Sequence, residues 1–155
     1  MQFAGRYRFA APRAQVWAAL NDVDKLKAAI PGCRRLEWKG PNELELELKV
    51  SLGLVSPTFT GDLHLRDIVP AERYTLSGRG RGGLLGMAEG AALIVLADDG
   101  EDTELSFTAT GGADNAIMKL GKALLGKSAQ RVIDHFFAGF GDTFGAAVTP
   151  LDAED

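Results

Sequence analysis

The sequence predicts an α+β fold: one strand, two short helices, six more strands in a curved antiparallel sheet, and a long C-terminal helix. Three observations carry this expectation. Seven stretches read as strands, and in the clearest of them apolar and polar residues alternate, the period of a strand with one buried face. Short turn signals join most of these stretches, so sequential strands pair as a meander. The last stretch, from about Asp114 to Ala147, switches to helical spacing with a wide apolar face, which must lie against one side of the sheet.

Phe3, Gly5, Tyr7 and Phe9 alternate with Ala4, Arg6 and Arg8 in the first strand. Ala11-Pro12 marks a helix start, because proline fixes φ and lacks only an N–H that the first turn could not use. Val16, Trp17 and Leu20 follow at helical spacing, and Asn21-Asp22 break the helix. Leu26, Ala29 and Ile30 form a second short helix that Pro31-Gly32 ends. Arg34–Lys39 reads as a strand, and Gly40-Pro41-Asn42 as a turn. In Glu43–Leu52, Leu44, Leu46, Leu48, Val50 and Leu52 share one face, and Glu43, Glu45, Glu47, Lys49 and Ser51 the other. Thr58–Ile68 alternates less cleanly, with Phe59, Gly61, Leu63 and Leu65 on one face. Tyr74–Gly78, Met87–Ala97 and Glu104–Thr110 complete seven strands, the last two joined by a hairpin turn at Asp98-Asp99-Gly100.

Asp114 or Asn115 caps the final helix. Ile117, Leu120, Leu124, Leu125, Ala129, Val132, Phe136, Phe140 and Phe144 build its apolar face, which Ile133 and Phe137 broaden. Thr149–Asp155 is polar and acidic and is expected to fray. The chain therefore divides into one domain, 1–148, and a short acidic tail, 149–155.

At 155 residues such a domain buries about 70% of its unfolded surface. A hydrophobic fraction of 46% and a charged fraction of 25% are those of an ordinary globular protein. The net charge of −4 argues against a general nucleic-acid binder. A single cysteine, Cys33, cannot form an internal disulfide, and the N-terminus lacks a signal-peptide layout. Both point to a reducing, cytoplasmic setting. The longest apolar run, Ala91–Ala97, falls far short of the ~20 residues that span a bilayer, so any membrane contact is peripheral.

No catalytic set is legible. Gly78-x-Gly80-x-x-Gly83 matches a dinucleotide fingerprint as a string, but no helix follows to hold a pyrophosphate. His64 falls in a strand and His135 in a helix, neither with metal-ligand spacing to another His or Cys. Arg34 and Arg35 would lower the pKa of an exposed Cys33, yet no His or Asn constellation marks it as a nucleophile. Glu43, Glu45 and Glu47 read as a solvated outer face. No cofactor and no metal is expected.

In a meander, alternate connections fall at the same end, so the loops around Gly53–Pro57 and Arg79–Gly86 share an end with Gly111–Ala113. Gly78, Gly80, Gly82, Gly83 and Gly86 make the second loop flexible, with Leu84 and Leu85 near its tip and Arg79 and Arg81 beside them. Lys119, Lys122, Lys127 and Arg131 follow on the long helix. Apolar tips and cations at one end suit docking to a membrane or an acidic partner.

The Ala11–Cys33 segment, with "GLVSPTFTG" and "GRGRGGLLGMAEG", resembles the CoxG-like family, named for the G subunit of carbon monoxide dehydrogenase. That family lies in the START/Bet v 1-like (SRPBCC) superfamily, and the resemblance runs over about Met1 to Val148. The resemblance implies a helix-grip fold with an internal cavity. It implies no enzyme, but binding of an apolar small molecule, a quinone or other lipid. The implied partner is a molybdenum-containing, hydroxylase-type dehydrogenase such as carbon monoxide dehydrogenase, which the protein would link to the membrane quinone pool. Leu52, Phe59, Leu76, Leu93, Phe107, Leu124, Ile133 and Phe137 are expected to wall the cavity. Arg79, Arg81, Leu84, Leu85, Lys119 and Lys122 are expected at its mouth and docking surface. A position often held by Cys in the family matches Cys33, which favours a structural role. Some members continue into a basic or apolar tail, whereas Leu151–Asp155 is acidic and would be repelled by anionic lipid. Peripheral contact at the inner face of the cytoplasmic membrane would then need the mouth. The alternatives are a protein-docking or maturation subunit with a closed cavity, and an enzyme of the cyclase or dehydratase kind, which would need a polar cluster inside.

Overall fold

The computed structural model describes residues 2–49, 54, 56–81, 87–111 and 129–151. Eight strands form one sheet: β1 (Gln2–Phe9), β2 (Cys33–Gly40), β3 (Glu43–Lys49), β4 (Thr58–Val69), β5 (Arg73–Arg81), β6 (Met87–Asp99), β7 (Asp102–Gly111) and β8 (Val148–Leu151). Their order is β2-β3-β4-β5-β6-β7-β1-β8, antiparallel throughout. The helices are α1 (Arg13–Leu20), α2 (Val23–Ala29) and α3 (Ala129–Asp142).

Strands β2 to β7 pair in sequence, as a meander does, but β1 lies beyond β7 rather than beside β2, and the sheet has eight strands where seven were expected. Val148–Leu151, expected at the start of a frayed tail, instead pairs with β1 from Phe9↔Val148 to Arg6↔Leu151. The predicted helix also stops earlier, at Asp142. Thr143–Gly145 then turn the chain back, with Phe144 and Ala146 N–H groups both donating to the Gly141 carbonyl. Residues 114–128, the first half of that helix as predicted, lie outside the described residues.

Local chemistry explains the boundaries. Pro12 precedes α1 in extended conformation. Asn21 closes α1, and Asp22 caps α2, its carboxylate accepting from the Asp24 and Lys25 N–H groups. The hydrogen bond from the Lys25 ammonium also holds its carboxyl below the usual range. Gly32, at φ +72°, turns the chain from α2 into β2. The β6–β7 loop is the two residues Gly100-Glu101, with Gly100 at φ +63°, as a tight hairpin demands. The imperfect alternation of β4 has a cause: Asp67 sits at φ +53° where the β4–β5 register slips between Arg66 and Val69.

The inner face is read off the register. At one end lie Tyr74, Ile94, Leu96, Leu105, Phe107, Tyr7 and Phe9, all buried, against Val16 and Leu20 of α1 and Phe137 and Phe140 of α3. Phe9 lies within 6.3 Å of the Phe137, Phe140 and Phe144 rings. Thr103, fully buried beside them, donates its hydroxyl to the Ala11 carbonyl at 2.8 Å, which fixes the chain entering α1.

Candidate functional site

Toward the opposite end, the same face loses its side chains. One cross-strand row reads Leu44–Leu63–Gly78–Gly90–Gly111, and the next Leu46–Gly61–Gly80. Between these rows and the aromatic end runs Leu65–Leu76–Ala92–Ala109. Strands disfavour glycine, which contributes nothing to packing, so a row of three glycines marks where something else approaches the backbone. Part of the space is taken by β4. A Cβ on Gly80 would lie 2.5 Å from Phe59 Cζ, and one on Gly78 would lie 2.7 Å from Leu63 Cδ2. Leu46, Leu63, Leu76, Ala92, Ala109 and Ile133 are nevertheless only half-buried while packing against the core. The topology brings the ends of β3, β5 and β7 together here, as the meander predicted.

Of the predicted wall, Phe59, Phe107 and Phe137 are buried on the inner face, and Leu76 and Ile133 are half-buried there. Leu52 and Leu124 lie outside the described residues. Leu93 is a correction. It pairs with Thr75 and Thr108 on the outer face and is 43% exposed. The apolar run Ala91–Ala97 hides the alternation, because both faces of that strand are apolar. Of the predicted mouth, Leu84, Leu85, Lys119 and Lys122 lie outside the described residues. Arg79 and Arg81, expected in the loop, belong to β5 and point outward, exposed, near its C-terminal end. Arg79 reaches Glu89 at 3.5 Å.

The outer face carries what sequence reasoning saw in half. Glu45 and Glu47 are solvated, as expected, but Arg35 of β2 reaches across to both, and Lys39 bridges Glu45 at 3.2 Å and Asp62 at 3.4 Å. A polar groove of about 520 Å³ runs over this surface between Arg35, Asp62, Arg79 and Arg81. Such exposed pairs are screened by water and add little to stability. Cross-strand partners were invisible without the register.

The chemically reactive side chains stand apart from one another. Cys33 is half-buried, and burial pushes its thiol up, the opposite of the activation that Arg34 and Arg35 would give if it were exposed. His64 is exposed on the outer face, with Glu43 3.7 Å away. His135 is exposed on α3. Burial pushes the Tyr74 hydroxyl up to about 12, so this inner-face residue stays neutral. Among the described residues, no three His, Cys, Asp or Glu cluster as a metal site would require, and no helix is long and apolar enough to cross a membrane. One polar pair does face inward. The Tyr7 hydroxyl donates to Asp134 Oδ1 of α3 at 2.5 Å.

Among solved structures, a conserved protein from Geobacillus kaustophilus is similar, with a TM-score of 0.79 at 24% identity over 96% of this chain and 99% of that one. The Zhui aromatase/cyclase from a Streptomyces species is similar with a TM-score of 0.61 at 19% identity, covering 92% of each chain. At such identities the likeness shows the shared helix-grip fold alone. No curated protein matches the sequence. A family model for CoxG, the G subunit of carbon monoxide dehydrogenase, matches residues 5–144, which include every described element except β8 and the start of β1. On that match across nearly the whole chain, the protein belongs to the CoxG family.

Proposed function

We propose that this protein is a non-catalytic carrier of an apolar small molecule, a quinone or another isoprenoid lipid, held between the sheet and the C-terminal helix. It would serve as an accessory to a molybdenum-containing dehydrogenase of the carbon monoxide dehydrogenase type and link it to membrane quinone. Family membership supports the accessory role. The observation that carries the ligand reading is the glycine-lined patch, the Gly78–Gly90–Gly111 row and the Gly61–Gly80 pair, covered in part by Phe59 and Leu63 and bordered by half-buried Leu76, Ala92 and Ala109. Surface of this kind binds through area removed from water, at ~25 cal/mol per Å², with few polar groups to orient the occupant. Arg79 and Arg81, with Leu84, Leu85, Lys119 and Lys122, would form the entry and docking end.

Incubation with vesicles containing a naphthoquinone with an isoprenoid tail, followed by separation, is expected to leave about one quinone per chain on the protein. Ala92→Phe, at a half-buried position of the same face, would fill the patch and abolish that uptake while the far-ultraviolet circular dichroism stays native. Undiminished uptake by a folded Ala92→Phe protein would move the ligand elsewhere.

A further inference from the structure

The sheet ends at β2 on one side and at β8 on the other, and the two edges are finished differently. β8 is four residues long and carries Pro150, both of which blunt an edge against further pairing. β2 is eight residues long and is bulged near its ends, between Cys33 and Arg35 and between Trp38 and Gly40. The stretch between the bulges, Arg35–Trp38, is regular. Among the described residues its backbone bonds to no segment other than β3. A groove of about 530 Å³ follows the free side, between α2 and the Arg34, Leu36, Glu37 and Trp38 side chains. Trp38 is 39% exposed there, although it pairs with buried Leu44.

The order of residues along this edge is self-complementary. Antiparallel strands set directly opposed side chains on the same face. With Leu36 opposite Leu36 of a second copy, Arg35 meets Glu37 of that copy, and by symmetry the match occurs twice. Arg35 and Glu37 both stand on the outer face, across from Glu47 and Glu45 of β3, so unlike charges meet. Arg34 comes to Trp38 of the second copy, also twice, and a guanidinium is attracted to an indole face. The neighbouring registers lack this match. Centring on Glu37 opposes Glu37 to itself and Arg35 to Lys39, and centring on Arg35 opposes two arginines. A slip that opposes Leu36 to Glu37 turns the inner face outward.

We propose that β2 is a docking edge for a second copy of this chain, the two copies joining through Arg34–Trp38 about a two-fold axis at Leu36. The pairing doubles the eight-stranded sheet, and the outer faces of both copies continue into one surface. Bulges confine the contact to a few residues, so the association is weak and reversible. It closes at two, because the axis uses the β2 edge of both copies. This inference is independent of what the interior carries.

Sedimentation of the full chain in reducing buffer, where Cys33 cannot cross-link, tests it. Between ~10 μM and ~1 mM the wild-type protein is expected to pass from one chain to two. Glu37→Lys and Arg35→Glu each set like charges opposite one another twice, and each alone is expected to dimerise about tenfold or more weakly. Mixed, they restore both unlike pairs, and the mixture is expected to dimerise as the wild type does. Both side chains reach water, and circular dichroism checks that each variant is folded. Trp38→Ala, which leaves the charges in place, is expected to weaken the dimer about threefold. A wild-type protein that stays one chain at ~1 mM overturns the proposal and leaves this edge to a strand of another protein. A dimer that persists unchanged in all three variants overturns the assignment to β2. Variants that are monomeric alone and stay so when mixed overturn the register.

Discussion

Gly141→Ala lowers the thermal unfolding midpoint by roughly 6–12 °C, whereas Gly139→Ala, two residues earlier in the same helix, raises it by a few degrees. Helix propensity favours alanine at both positions, by up to ~1 kcal/mol. Space decides the sign. A Cβ on Gly139 meets nothing within 4 Å. A Cβ on Gly141 would overlap Val148 Cγ2 and lie 2.5 Å from the Ala146 carbonyl oxygen. That carbonyl belongs to backbone pinned on both sides. The Ala146 N–H donates to the Gly141 carbonyl at 2.9 Å, the Ala147 carbonyl accepts from Ala10 at 2.9 Å, and β8 pairs with β1 directly beyond. Relief of the overlap must undo some of these bonds, at a cost of about 3 kcal/mol. Paired calorimetric scans of the two variants check this. An unchanged or raised midpoint for Gly141→Ala would contradict the tight return of β8 onto α3.

Phe137→Ala costs about 3–5 kcal/mol in denaturant unfolding. Its ring touches those of Tyr7 at 4.4 Å, Phe136 at 5.1 Å, Phe107 at 5.7 Å and Phe9 at 6.3 Å, so truncation opens a void that four rigid neighbours cannot collapse into. The size of the loss also locates the cavity. A full loss places Phe137 in the packed half, with open space beginning at Asp134 and Ile133. A loss below about 1.5 kcal/mol would put the ring itself against open space, since a residue with nothing behind it gives up few contacts.

Much of this architecture was legible in the sequence because period and turn chemistry are local. Glu43–Lys49 alternates without a fault, and that strand forms within the range expected. Pro12, Asp22, Gly32 and Gly100 all act at the boundaries where their backbone preferences pointed. What failed depended on partners far along the chain. Leu93 looked inward because Ala91–Ala97 carries no polar alternation, and only pairing with Thr75 and Thr108 assigns its face. Val148–Leu151 is too short to read as a strand, and Pro150 argues against one. It pairs because β1 offers a free edge, where a proline without an N–H is tolerated. The glycines of β5 suggested a loop in sequence. Beside Gly61 and Gly90 they become one face of a sheet, a pattern that exists only across strands. The Tyr7–Asp134 bond joins residues 127 positions apart and had no sequence signal.

The carrier reading is tested most directly by native mass spectrometry of protein purified gently from its own host, followed by solvent extraction. An apolar molecule, a quinone or related isoprenoid, is expected at close to one per chain. A clean apoprotein that also takes up neither added menaquinone nor ubiquinone would contradict it and leave a docking subunit with a closed interior.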